Sequence, residues 1–282
     1  MARLTELETD APADWASASA TPAGPTRRLR SRAWSDNLLR IGALAGILLA
    51  WEGLSRFLKP LIFTSPGKAV EALRTMVADG TLAEAWSETL LLLVTALSLA
   101  AIAGVTLGIL LGRFRTASDL LEPEMTAVFL TPRIALLPLI ALWFGFGDPA
   151  KIVVVFLFGF FEIFFTVRNG VRTIDAEYIE VARAYCIPER VMLLKVVVPA
   201  SLPYVATGLR LGLLHGMVGV VLCGFFLENN GIGGLLYNEG QDFRIAGLFA
   251  GLFTVALVGI AMNQTLRWLE RRLAPWRTGA SA

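Results

Sequence analysis

From residue 38 to residue 266 the chain alternates long apolar runs with short polar breaks, the runs falling at 38–57, 86–112, 120–146, 150–168, 204–227 and 244–266. Each comes close to or exceeds the roughly 20 apolar residues that a helix needs to cross the hydrocarbon of a bilayer. The pattern predicts an all-α polytopic membrane protein with about six transmembrane helices. Pro132 and Pro138 lie in the third run, and each removes a helical hydrogen bond and crowds the preceding turn, so an interrupted or kinked span is expected there. Between the first two runs, the segment SPGKAVEALRTMV at 65–77 carries apolar residues at helical spacing, which predicts an amphipathic helix lying on the membrane surface.

Composition narrows the class. Across 282 residues, 55% are hydrophobic and 17% charged, with a mean hydropathy of +0.63, which excludes an ordinary soluble domain. Two cysteines exclude a secreted disulfide scaffold, and a single histidine disfavours a dedicated metal site. Residues 1–36 are rich in Ala, Thr, Pro and Ser and contain Arg27, Arg28, Arg30 and Arg32. They read as a flexible cytoplasmic tail rather than a signal peptide, because no apolar core follows the first residues. The transmembrane domain is then expected at 37–277 and a short C-terminal tail at 278–282.

The net charge of +2 says little until it is resolved by position. With the N-terminus inside, 17 of the 25 Lys and Arg residues fall on the cytoplasmic side and 6 outside. That bias predicts a multi-pass protein with both termini cytoplasmic.

Several spans carry glycines four apart: Gly42 and Gly46; Gly104, Gly108 and Gly112; Gly208, Gly212 and Gly216; Gly247 and Gly251. Small residues at this spacing let helices approach closely, either within one subunit or between two. Ionisable groups inside spans are costly and point to function. Arg133 lies between the two prolines of the third run and Glu162 in the fourth; they either pair with each other, or Arg133 is the cationic element of an anion pathway opened by Pro132 and Pro138. His215 in the fifth run is either a hydrogen-bonded packing residue or a pH-sensitive group, and Arg210 is expected to snorkel to the cytoplasmic edge. There is no phosphate-binding P-loop: Gly67-Lys68 has Ile62 in place of the first glycine and Ala69 in place of Ser or Thr. Nor is there a clustered nucleophile or a pair of catalytic carboxylates, so no catalytic residue is assigned.

The decisive segment connects the fourth and fifth runs, about 170–203, and includes DAEYIEVARAYCIPERVMLLKVVVPASLPYVATGLRLG. Glu177, Glu180 and Arg183 recur every three residues beside the small Ala182 and Ala184, which predicts a short helix with one charged and one smooth face. A turn at 186–188, ending at Pro188, leads to a second amphipathic stretch that stops at Pro199 and Pro203. Such a helix pair suits insertion into a groove on another protein.

This segment resembles the EAA loop of ATP-binding cassette (ABC) importer permeases, whose pattern is Glu-Ala-Ala, three residues, Gly, and later an apolar residue and Pro. The matching residues are Glu180, Val181 and Ala182, then Cys186 in the glycine's place, then Val198 and Pro199. TPRIALLPLIALWFGFGDPAKI at 131–152 resembles the nitrate, sulfonate and taurine branch, and LERRLAPWR is similar to its C-terminus. Two departures stand out. Cys186 must either hold an ordinary turn conformation or carry strain of about 1 kcal/mol or more. Relatives also often place an acidic residue near Cys223 and Gly224, where Glu228 is the nearest substitute.

The resemblance implies a type I ABC importer permease fold and a subunit that forms the membrane path without covalent chemistry. It also implies a separate ABC ATPase subunit that holds ATP and Mg2+, with no cofactor in this chain. A periplasmic or lipid-anchored substrate-binding protein and a second copy of the permease complete the set of partners, with no nucleic acid. Glu180 would pair with a cationic group on the ATPase, Ala182 and Ala184 would enter its groove, and Arg183, Cys186 and Pro188 would complete the coupling segment. Pro132, Arg133, Pro138, Glu162 and His215 are candidates for the translocation path. Pro66, Gly67, Asn229, Asn230 and Gly231 are candidates for binding-protein docking. The implied cargo is a small anion such as a sulfonate, taurine or nitrate. The competing class is a stand-alone secondary transporter or channel that uses His215, Glu162 and Arg133 as an ion relay.

Overall fold

In a bilayer every backbone N–H and C=O has to be paired within its own segment, and the apolar runs accordingly fold as helices. The computed structural model describes residues 28–273 except 60, 61, 175–179, 183 and 228. In chain order the helices are α1 (Arg28–Phe57), α2 (Pro66–Ala78), α3 (Thr81–Arg113), α4 (Arg115–Leu130), α5 (Leu137–Phe144) and α6 (Asp148–Arg172). They continue with α7 (Glu189–Phe226), α8 (Gly231–Gln241) and α9 (Ile245–Leu273). A 3₁₀ turn, Arg133–Leu136, leads into α5, and a π-helical turn, Leu193–Val197, lies inside α7. No strand occurs among the described residues.

Among the described residues α3, α6, α7 and α9 are long and apolar enough to cross a membrane; α4 with α5 is a fifth if that bent pair counts as one span. The pair is bent by 87° at the break expected from Pro132. Met1–Gly53 and Leu54–Ala282 form two compact units. In the first, α1 begins at Arg28, inside the stretch 1–36 expected to be a tail, because no proline or glycine interrupts the chain from Thr26 to Ile41. Residues 1–27 and 274–282, which hold the rest of the expected tails, lie outside the described residues.

Glycines set the packing of the second unit. A Cβ added at Gly104, Gly108 or Gly112 would lie 2.9, 2.9 and 2.7 Å from Ile163, Val167 and Val171 respectively. The residue numbers rise together, so α3 and α6 run parallel in near-backbone contact. Gly208 and Gly212 of α7 likewise press on Ile163 and Gly219 on Phe158, so α7 packs antiparallel to α6, and its Gly216 also meets Leu97 of α3. Gly251 packs on Leu236 of α8. The glycine series of α3, α7 and α9 thus pack within one chain.

Parallel α3 and α6 require the chain between them to return across the bundle. It does so through the bent pair: Ser118 and Glu122 of α4 meet Arg168 near the end of α6, while Arg133 at the bend meets Phe158 and Glu162 at its middle. One end of the bundle is therefore marked by Arg113, Arg168 and Glu189, and the other by Glu88, Lys151 and Asn230.

The segment expected to lie on the membrane surface forms α2, started by Ser65, whose hydroxyl accepts from the Lys68 amide, with Pro66 at the first helical position. Its Ala69 and Met76 are buried. Asp79 joins α2 to α3 by accepting from the Thr81 hydroxyl at 2.7 Å and the Thr81 amide at 3.0 Å, and these bonds hold its carboxyl below the usual range.

Candidate functional site

Arg133 is delivered to the membrane interior by the bend. Pro132 cannot donate a helical hydrogen bond, so α4 stops, and the 3₁₀ turn swings the next side chain toward α6. The guanidinium lies 5.3 Å from the centre of the Phe129 ring and 5.0 Å from that of Phe158. Nη1 donates to the Phe158 carbonyl at 3.1 Å and Nη2 pairs with Glu162 Oε1 at 3.1 Å. Aromatic faces, a carbonyl and a carboxylate together offset the cost of a cation within a span.

His215 of α7 joins the same carboxylate. Its Nδ1 lies 3.0 Å from the Leu211 carbonyl, which can only accept, so Nδ1 carries a proton and Nε2 faces Glu162 Oε1 at 3.6 Å. The structure thus brings Arg133, Glu162 and His215 into one cluster. The Arg133 and Glu162 side chains are each 16% exposed and that of His215 is 42% exposed, so the cluster opens on the His215 side. Pro138 sits within the first turn of α5, beside the fully buried Leu137. Arg210 reaches Glu270 of α9 at 3.1 Å.

At the Arg113 end, residues 180–182 and 184 are helical, and Arg183 and Glu177 lie outside the described residues. Glu180 and Ala184 are exposed, whereas Ala182 is 3% exposed and turned into its own chain. Val181 and Tyr185 present large apolar surfaces outward. Cys186 has φ +51°, and the Ile187 amide donates back to Ala182 O at 3.1 Å. This six-residue closure is a Schellman cap with Cys186 at the left-handed position that glycine favours, and Pro188 follows it. Of the two conformations open to this turn, the strained one is found.

Ion pairs and hydrogen bonds fix this end of the bundle, and one of them, through Glu189, holds the segment's exit. Glu189, the first residue of α7, pairs with Arg113 at the end of α3 at 2.5 Å. Arg168, almost wholly buried, pairs with Glu122 and donates to Ser118 Oγ at 3.2 Å; Arg172 also donates to Ser118 Oγ, at 2.7 Å. Sequence reasoning assigned none of these six residues a role. The clue available was arginines at 113, 168 and 172, at or just beyond the ends of two apolar runs on the same expected side.

At the other end, α8 has no cap from its own N-cap side chain. Instead α3 supplies the acceptors: Glu88 Oε2 takes the Gly231 amide and Thr89 Oγ1 the Ile232 amide, at 2.7 and 2.8 Å. Lys151, 3% exposed, donates to Asn230 Oδ1 at 2.7 Å and pairs with Asp148 at 2.8 Å. Gly231 has φ +62°, a conformation that the turn into α8 requires. A cavity of about 300 Å³ lies beside these groups, lined by Glu88, Thr89, Lys151 and Asn230 among others. Of the expected docking residues, Asn229 and Asn230 are exposed and Gly231 half-buried, while Pro66 and Gly67 open α2. Glu228 lies outside the described residues. Glu239 of α8 is buried, which raises its carboxyl above the usual range despite Arg244 at 3.4 Å.

Residues 104–275 match the family described as binding-protein-dependent transport system inner membrane component. The taurine transport system permease protein TauC of Escherichia coli is 29% identical over 245 residues, covering 84% of this chain and 89% of that protein. The putative aliphatic sulfonates transport permease protein SsuC of Bacillus subtilis is 33% identical over 174 residues, 62% of this chain and 63% of its own. The bicarbonate transport system permease protein CmpB of Synechococcus elongatus is 27% identical over 245 residues, 83% and 88% of the two chains.

Proposed function

The chain belongs to the family of binding-protein-dependent transport system inner membrane components, the permeases of ABC importers, and from that premise we propose that it forms half of an ATP-driven path for a small anion. It is a multi-pass protein of the inner membrane and not itself an enzyme of this system. ATP and Mg2+ are held by a separate ABC ATPase subunit, and a periplasmic or lipid-anchored binding protein delivers the solute. A second copy of this chain supplies the other half of the path. Counting α1 with α3, the bent pair, α6, α7 and α9 gives six spans, with both termini cytoplasmic and the Arg113 end inside. The membrane domain on this reading runs from 37 to 277.

The observation that carries this reading is the capped helix at 180–186, which presents Glu180, Val181, Ala184 and Tyr185 outward and is tied to α3 through Glu189 and Arg113. Glu180 pairs with a cationic group of the ATPase and Ala184 enters its groove, with Arg183 part of the same coupling segment; Ala182 supports the helix from within, and Cys186 and Pro188 shape its end. ATP-driven closure of two ATPases then moves the coupling segments, and the glycine-locked α3, α6 and α7 move with them. Pro132, Arg133, Pro138, Glu162 and His215 belong to the path. Pro66, Gly67, Asn229, Asn230 and Gly231 belong to the surface that receives the binding protein. The relatives named for taurine, aliphatic sulfonates and bicarbonate support a small oxyanion or sulfonate as cargo, nitrate among the choices.

A second reading, a transporter working alone, draws on one observation: Arg133, Glu162 and His215 do form a cluster that could relay a proton. Purification in mild detergent separates the two. An ATPase subunit is expected to co-purify with the wild-type chain and to be lost from Glu180→Lys; retention by Glu180→Lys, or no ATPase at all, refutes the coupling role.

A further inference from the structure

The Arg133–Glu162–His215 cluster sets two nitrogen-bearing side chains against one carboxylate oxygen, and we infer that it is an anion site whose occupant in the empty permease is Glu162 itself. The inference rests on the importer reading above and adds what the path recognises and what holds its cationic group when the solute is absent.

The geometry is that of a built site. Arg133 lies against the Phe129 and Phe158 rings and is fixed by the Phe158 carbonyl through Nη1, while Nη2 on its donor edge is held by Glu162. A planar donor edge matches the paired oxygens of a carboxylate, a sulfonate or bicarbonate. Glu162 Oε1 holds that edge at 3.1 Å, and the same oxygen faces His215 Nε2 at 3.6 Å. Glu162 from α6 and Arg133 from the bend are the charged groups facing His215 in the cluster.

Charge balance completes the argument. With His215 neutral, Arg133 and Glu162 cancel and the cluster attracts no further ion. A solute anion reaches it from the exposed His215 side, takes the guanidinium edge in place of Glu162, and is balanced by a proton on His215 Nε2. The imidazole then donates from both nitrogens, one to Leu211 O and one into the site. Glu162 thereby acts as a competitor: it occupies the guanidinium when no solute anion is present, and it speeds release of the anion by returning to Arg133.

The test uses the complex of the full chain with its ATPase subunit, without binding protein, titrated calorimetrically with methanesulfonate and, as a control, ethylammonium. Glu162→Gln keeps the side-chain shape and removes the competing charge, so methanesulfonate is expected to bind about tenfold more tightly or better than to wild type. Arg133→Gln is expected to abolish binding. His215→Gln, on a partly exposed side chain, is expected to weaken binding about tenfold and to remove proton uptake on binding. Equal or weaker affinity in Glu162→Gln, binding of ethylammonium instead, or no binding to any form overturns the inference. If Glu162→Gln does not fold, unchanged affinity in His215→Gln overturns it. Absence of ATPase from the wild-type preparation defeats the importer reading, whereas ATPase present with unaltered methanesulfonate affinities defeats this inference alone.

Discussion

Cys186 offers a quantitative test of the coupling segment. Its φ of +51° places an L side chain in the left-handed region at a cost of about 1–2 kcal/mol. Glycine escapes that cost but returns about 0.5–1 kcal/mol through the greater freedom of the unfolded segment. Cys186→Gly is therefore expected to stabilise the capped turn by about 0.5–1 kcal/mol, which lowers its open population roughly two- to fivefold. Cys186→Val adds a branched Cβ where the backbone already crowds it, and is expected to raise that population about fivefold or more. The Ile187 amide, bonded to Ala182 O at 3.1 Å, reports the opening directly by hydrogen exchange in the intact complex. Exchange at Ile187 that is unchanged or faster in Cys186→Gly, or unaffected by Cys186→Val, refutes the cap. The strained residue also explains how the segment departs from the family's glycine without losing the turn: the closing hydrogen bond and Pro188 after it hold the same geometry that glycine adopts freely.

Three further outcomes follow from named contacts. Reversing Arg113 to Glu breaks the pair with the 45%-exposed Glu189, worth about 1 kcal/mol or less in solvent; it is expected to raise ATP hydrolysed per solute moved, with Glu189→Arg in the same chain restoring the ratio. Gly108→Leu forces side-chain atoms against Val167 and the Phe164 carbonyl, which a Cβ would already meet at 2.9 and 3.0 Å, and is expected to cost about 1–3 kcal/mol or more in detergent thermal unfolding. Gly46→Leu, with nothing within 4 Å, serves as the comparison and is expected to leave the melting temperature in place. Thr89→Val leaves the buried Ile232 amide without its acceptor, at a cost of about 1–3 kcal/mol, and is expected to speed exchange at the start of α8 while sparing α6.

Much of the architecture follows from one-dimensional pattern. Apolar length identifies α3, α6, α7 and α9, because runs this long can satisfy their backbone within a bilayer as helices, and Pro132 marks the bend, because it cannot continue the helical hydrogen bonds. The Arg133–Glu162 pair could be anticipated, since two opposite charges in neighbouring spans have few other partners. His215 groups with them in the sequence only as another ionisable group within a span; that it faces the same Glu162 oxygen depends on the rotation of α7 about its axis, which is set by where Gly208, Gly212 and Gly219 meet α6. The same holds for Ala182: its type and spacing suit a partner's groove, but its burial is decided by how the segment folds back on its own chain. The anchoring of α8 by Glu88, Thr89 and Lys151 joins residues from three separate helices and has no local signature. Helix onset at Arg28 was obscured by composition, since arginine and serine favour a tail by charge while nothing among them stops a helix.

Solute uptake into proteoliposomes containing this chain, its ATPase and its binding protein tests the central claim most directly. The account requires accumulation that depends on ATP supplied on the ATPase side, persists when a protonophore collapses the proton gradient, and disappears in Glu180→Lys. Uptake by the chain alone, driven by an imposed proton gradient without ATP, would contradict it.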